Sequence, residues 1–88
     1  MAYNNRGSAY NDLGQYERGI QDYDESIRLN PQYAGVYKNR GLVYDLLGQY
    51  ERAIQDYDEA IRLNPQHAAA YYVRGMVYEK LGKTKEAD

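Results

Sequence analysis

The sequence predicts an all-α fold, a solenoid of antiparallel helix pairs with about five helices, and three observations carry that prediction. LGQYERGIQDYDESIRLNP at Leu13–Pro31 returns as LGQYERAIQDYDEAIRLNP at Leu47–Pro65, 34 positions later. Apolar residues inside each copy recur at intervals of three or four, the period of one helix face. The two positions that change, Gly19 to Ala53 and Ser26 to Ala60, exchange one very small side chain for another. Self-similarity at a period of 20–50 residues is the mark of a repeat architecture, in which each unit buries its apolar face against the next. Shifting the chain by 34 matches about 24 of 34 positions. The 88 residues divide into units at about 1–33 and 34–67 and a shortened unit at 68–88, within one domain.

The elements follow in order. Tyr3, Gly7, Tyr10 and Leu13 mark one face of a helix at about 2–13, and Gly14 stops it, since glycine accepts the left-handed geometry of a helix end. Tyr16, Ile20, Tyr23, Ile27 and Leu29 give a second helix at about 17–29. Asn30-Pro31 ends it, because a residue preceding proline is pushed away from helical angles. Pro31 is also suited to open the next helix. The same signals place helices at about 33–47 and 51–63 and a fifth at about 67–81, stopped by Gly82. A sixth helix is expected to begin in TKEAD, with Thr84 where Tyr16 and Tyr50 stand. Residues 7, 19 and 26 are Gly, Gly and Ser, and residues 41, 53 and 60 are Gly, Ala and Ala. Antiparallel helices approach to about 8–10 Å where the crossing residues are small. The tyrosines on either side then fill the space. There are twelve, with no Phe and no Trp, which implies rings buried at the body and wet at the hydroxyl.

These residues resemble the tetratricopeptide repeat. Tyr3, Tyr37 and Tyr71 stand at that family's Trp position, and Gly7, Gly41 and Gly75 at its small residue. Tyr10, Tyr44 and Tyr78 match the central Tyr, and Gly19, Ala53 and Ala87 the crossing Ala. Tyr23 and Tyr57 replace the Phe, Ser26 and Ala60 the second Ala, and Pro31 and Pro65 the Pro. The resemblance spans essentially the whole chain and implies a right-handed superhelix. One departure is Arg6, Arg40 and Arg74, where the family usually carries Leu. Their stems are expected to lie along the core while the guanidiniums reach carboxylates or carbonyls.

Composition narrows the chemistry. The chain has no cysteine, so disulfides, thiolate metal sites and a cysteine nucleophile are absent. With a net charge of −2 and no basic stripe, nucleic acid is not an expected partner. No apolar run approaches the ~20 residues of a membrane span, and no signal-peptide pattern is present, which leans toward the cytoplasm. Asp22, Asp24 and Glu25, like Asp56, Asp58 and Glu59, read as a solvated helix face. Asp22 and Asp24 diverge by roughly 200° around the axis, and Asp24–Arg28 and Asp58–Arg62 are spaced as surface pairs. His67, the lone histidine, has no partner set for catalysis or metal binding. The glycines form no nucleotide-binding pattern. A base-stacking role for the tyrosines would require a positive groove. No enzyme, cofactor or metal site is expected.

What the resemblance implies is a protein–protein interaction scaffold with a concave wall lined by the first helix of each unit. The matching wall positions are Asn4, Asn5, Ser8, Asn11 and Asp12, then Lys38, Asn39, Leu42, Asp45 and Leu46, then Tyr72, Val73, Met76, Glu79 and Lys80. The wall passes from amides, suited to a peptide backbone, to an apolar patch at Leu42, Leu46, Tyr72, Val73 and Met76. The bland alternative is a wall with no dedicated ligand. One version of this groove grips acidic chaperone tails with Lys, Asn, Asn, Lys and Arg. The matching residues here are Asn4, Ser8, Asn39, Ala69 and Val73, of which Asn39 alone agrees, so that activity is not expected. The fifth helix is predicted to leave Tyr71, Gly75, Tyr78 and Leu81 uncovered. Such an apolar patch marks an interface, and self-association into a homo-oligomer through this face is the alternative function expected, a structural repeat or consensus-like array contacting its own copies.

Overall fold

The computed structural model describes the backbone of residues 2–87 and the side chains of residues 2–82. Five helices follow one another: α1 (Ala2–Asp12), α2 (Tyr16–Leu29), α3 (Ala34–Leu46), α4 (Tyr50–Leu63) and α5 (Ala68–Ala87). No strand occurs among the described residues. Each helix packs on its neighbour in sequence, while α1 and α3, and α3 and α5, also touch along one side. The result is a slab of 41 × 29 × 17 Å, an all-α helical-repeat solenoid. Observed ends lie within a few residues of those expected, α5 excepted.

Close packing at the crossings explains the small residues. A Cβ added to Gly7 would stand 3.0 Å from the Gly19 carbonyl oxygen and from the Tyr23 ring. One added to Gly41 would stand 2.5 Å from Tyr57 Cε1. Tyr23 and Tyr57 fill these sites and are wholly buried, as are Ala53 and Ala60 one turn to either side of Tyr57 on α4. Gly19 and Ala53 differ because their neighbours differ. Beside Gly19, the Asn11 amide occupies the volume that an alanine methyl would need, with Oδ1 at 2.0 Å from the Cβ position. In the second unit that neighbour is Asp45, which Lys80 Nζ holds at 2.8 Å.

The turns show how the units are joined. At Gly14 and Gly48, φ is +78° and +76°. The Gln15 N–H donates to Tyr10 O and the Gly14 N–H to Asn11 O, and Gln49 and Gly48 repeat both bonds onto Tyr44 and Asp45. This double bond pattern satisfies carbonyls that a helix end leaves open. Asn30 and Asn64 close the other turns by accepting the backbone N–H of Gln32 and Gln66 on their side-chain oxygens. Pro31 stands within this turn rather than opening α3, and its carbonyl accepts the Tyr37 hydroxyl at 3.0 Å.

Four expectations are corrected. Gly82 does not stop α5, which runs unbroken to Ala87, so no sixth helix begins at Thr84. At the earlier turns, Tyr16 and Tyr50 re-enter the core as the chain reverses. Thr84 offers no ring to bury there, and the Lys, Glu and Ala around it favour continued helix. The side chains of residues 83–88, including the alignment of Ala87 with the crossing alanines, lie outside the described residues. Second, Asp22 and Asp56 are not solvated; they are 6% and 5% exposed. Third, Arg28 and Arg62 pair with Glu25 and Glu59 instead of Asp24 and Asp58, because Asp24 and Asp58 are engaged by Arg40 and Arg74 from the following helices. Fourth, Leu13 and Leu29 are mostly exposed. The later leucines Leu47 and Leu81 reach back over the preceding turn, at Gly14–Arg18 and Gly48–Arg52; Leu13 has no preceding turn to cover.

The arginine heads reach carboxylates as expected, but it is the guanidiniums themselves that meet the tyrosine rings, and Arg6 is mostly exposed. Arg6 lies between the rings of Tyr3 and Tyr10, at 5.3 and 6.0 Å, and Arg40 between Tyr37 and Tyr44, at 5.8 and 5.9 Å. Their guanidiniums reach carboxylates on the covering helix. Arg6 grips Asp22 with two bonds of 2.8 Å, and this holds the Asp22 carboxyl below the usual carboxylate range. Arg40 grips Asp56 at 2.9 and 2.7 Å and reaches Asp24 at 2.8 Å.

Candidate functional site

The wall formed by α1, α3 and α5 contains one recess with mixed chemistry. Ser8, Asn11 and Asp12 supply a polar side from α1, while Leu42, Val43 and Leu46 supply an apolar side from α3, with Asn39 and Tyr23 completing it. Its volume is about 220 Å³. The Tyr23 hydroxyl accepts from Asn11 Nδ2 at 2.8 Å and shares a bond with Ser8 Oγ at 2.8 Å. Burial pushes this hydroxyl's pKa above that of an ordinary tyrosine.

The recess gathers Ser8, Asn11, Asp12, Asn39, Leu42 and Leu46 from the expected wall residues. Asn4 stands beside it and accepts from Asn39 Nδ2 at 3.1 Å, tying α1 to α3. Asn5 is exposed and Lys38 half-buried on the same two helices. Along α5, Tyr72 is 70% and Met76 41% exposed. Val73 is instead half-buried against the cluster of Ala53, Tyr57 and Val77, so it serves the core as well as the wall. Lys80, joined to Asp45, ties α3 to α5. Sequence reasoning missed the contribution of Tyr23 from α2. The signal was present in Ser8 and Asn11, polar residues three apart where the second unit has Leu42 and Asp45.

That replacement leaves a mark on the second unit. Tyr57 is fully buried and its hydroxyl has no hydrogen-bond partner among the described residues. Burial drives its pKa well up. An unmade buried hydrogen bond costs about 1–3 kcal/mol, and a made one contributes about 1. Tyr57→Phe is therefore expected to leave stability unchanged or raise it by up to ~1 kcal/mol. Tyr23→Phe, which strands Asn11, is expected to lower it by about 1 kcal/mol. Urea denaturation of both variants checks the opposite signs.

The repeat's dimensions and packing agree with comparisons to known proteins. A tetratricopeptide repeat profile matches residues 1–33 and 34–67, and a second profile of the same description matches 56–88. The chain belongs to the tetratricopeptide repeat family. Solved tetratricopeptide structures superimpose closely. The second such domain of Spaghetti (RPAP3), bound to the HSP90 peptide SRMEEVD, has a TM-score of 0.89 at 32% identity, covering 98% of this chain and 80% of that one. MamA gives 0.90 at 36% identity, covering 98% of this chain and 50% of that one. The Arabidopsis OM64 TPR domain gives 0.89 at 30% identity, with 98% and 71% covered. A search of curated proteins finds no significant match. These tetratricopeptide relatives support the role of a protein–protein interaction scaffold. Among the described residues no helix is long and apolar enough to cross a membrane, and no acidic, histidine or cysteine cluster is suited to a metal.

Proposed function

We propose that the concave wall holds an extended peptide segment of a partner protein. The recess between α1 and α3 carries the reading, because it pairs hydrogen-bonding groups on one side with apolar surface on the other. Asn5, Ser8 and Asn39 bond the peptide backbone, while Leu42, Leu46, Tyr72 and Met76 receive apolar side chains. Val73 supports that patch from below, and Asn4 and Lys38 flank it. Acidic tails are a poor fit. The Spaghetti domains bind SRMEEVD, but this chain has Asn4, Ala69 and Val73 where the tail-gripping version of the groove has cations, and Asp12 stands at the recess.

The test is selection of random decapeptides on the chain, followed by anisotropy titration of the winners. The expected winners are neutral and partly apolar, and Leu42→Glu combined with Met76→Glu weakens them by roughly tenfold or more, the value of one buried anchor. SRMEEVD is expected not to bind. Winners whose affinity ignores both substitutions would remove the proposal.

A second reading, a structural repeat whose main contact is with its own copies, has one observation in its favour. Tyr71 and Tyr78 are 45% and 52% exposed on α5, and Gly75 between them has no described residue within 4 Å of its Cβ position. Leu81 is half-buried and belongs more to the core. Sedimentation at high micromolar concentration decides the matter, and a clean monomer eliminates this reading.

A further inference from the structure

The outer face of α5 has more chemistry than exposed tyrosine, and that chemistry singles out an occupant. Position for position it repeats the faces of α1 and α3 that α2 and α4 cover. Gly7 and Gly41 lie under Tyr23 and Tyr57, whereas no described residue lies over Gly75. The arginines show what is missing. Each uses its Nε–Nη2 edge for an aspartate on the covering helix, Arg6 for Asp22 and Arg40 for Asp56. Each arginine after the first also sends Nη1 back to an aspartate of the preceding unit, Arg40 to Asp24 and Arg74 to Asp58. Arg74 makes that backward bond at 2.7 Å and lies 5.4 Å from the Tyr71 ring. Its Nε–Nη2 edge meets no acceptor among the described residues.

We propose that this face is a docking site for an amphipathic helix of a partner protein that carries small, Asp, Tyr and small residues at positions n, n+3, n+4 and n+7. That pattern is the shared content of both covering helices, as Gly19, Asp22, Tyr23 and Ser26 in α2 and as Ala53, Asp56, Tyr57 and Ala60 in α4. The aspartate takes the open fork of Arg74, a two-bond geometry that a single carboxylate fits. The tyrosine ring settles over Gly75, and the small residues let the two backbones close. A second copy does not supply this pattern. Its α2 and α4 already spend the same side chains on their own α1 and α3, and its α5 lacks an Asp-Tyr pair.

The experiment uses the whole chain and a fluorescein-labelled peptide of the α4 sequence, YERAIQDYDEAIRL, followed by anisotropy. The peptide is expected to bind, to weaken roughly tenfold or more with Asp56→Asn in the peptide, and to weaken equally with Arg74→Gln in the chain. Gly75→Leu in the chain is expected to abolish binding while its circular dichroism remains that of the parent. Absence of binding overturns the proposal. So does binding that ignores Asp56→Asn, or that survives Gly75→Leu, the sign of exchange with the chain's own α4. A chain that sediments as a dimer and stays dimeric with saturating peptide assigns the face to a second copy and overturns it as well. None of these variants touches the recess between α1 and α3, so the groove and the α5 face fail independently.

Discussion

Gly41→Leu is expected to cost about 3 kcal/mol, the upper end for overpacking a dense site, and the same substitution at Gly75 is expected to cost nothing. At Gly41 even the first added carbon would lie 2.5 and 2.8 Å from two atoms of the Tyr57 ring and 3.2 Å from Asp56 Cβ. Tyr57 is wholly buried and has no open side toward which to turn. The two helices must then separate and expose the tyrosine that closes the second unit. Gly75 occupies the same repeat position with no described residue within 4 Å of the added carbon. There leucine replaces a poor helix former by a good one, a gain of up to ~0.8 kcal/mol. For a chain of this size, 3 kcal/mol corresponds to a fall in Tm of roughly 12–24 °C. Gly41→Ala should fall between, since about 1 kcal/mol of helix propensity offsets part of the clash. Thermal denaturation of the three variants gives the order, and equal losses at Gly41 and Gly75 would refute the packing account.

How much of this was legible beforehand depended on whether the relevant neighbour was near in sequence. Ala53 and Ala60 were identified from one substitution pattern, because two nineteen-residue stretches that differ only among tiny residues reveal a size limit. The helices and their turns were legible for a similar reason, since Gly14, Gly48, Asn30 and Asn64 act locally. Asp22 and Asp56 were misread because surface-pair rules consider residues four apart on one helix. Their partners, Arg6 and Arg40, lie 16 residues earlier on another helix. The 34-residue offset held the answer: an arginine at a usual leucine position in every unit needs a carboxylate at a fixed place in every unit. Gly82 was misread for the opposite reason. A left-handed glycine is stable at Gly14 and Gly48 because Tyr16 and Tyr50 reward the reversal with burial, and the glycine by itself does not compel it. The candidate groove was legible on the α1 and α3 side. What escaped was Tyr23, a buried residue of α2 whose hydroxyl holds Ser8 and Asn11 at the recess.

The arginines carry the other large effect. Arg40→Leu is expected to destabilise the chain by about 3–5 kcal/mol, the cost of leaving a buried carboxylate without its partner. The Arg40 side chain is 21% exposed and that of Asp56 only 7%, with two bonds between them and a third from Arg40 to Asp24. Leucine removes the charge pairing together with the guanidinium's contacts to the Tyr37 and Tyr44 rings, and a second substitution separates the two. If pairing is the larger part, Arg40→Leu with Asp56→Asn should recover more than half of the loss, because the amide needs no counter-charge. Arg74→Leu is the control. Its one carboxylate partner among the described residues, Asp58, is 52% exposed and remains solvated when left alone, so the expected loss is within about 1 kcal/mol. Arg6→Leu should lie between, since Asp22 is buried but Arg6 itself is 59% exposed at the first helix. Urea denaturation of the series measures this gradient along the repeat. Equal losses at Arg40 and Arg74 would show that the stems matter and the forks do not. A gradient in the expected order would mean that each interior arginine binds its own unit's second helix and the preceding unit's at once, so that the ladder, as much as the tyrosine packing, sets how one unit sits on the next.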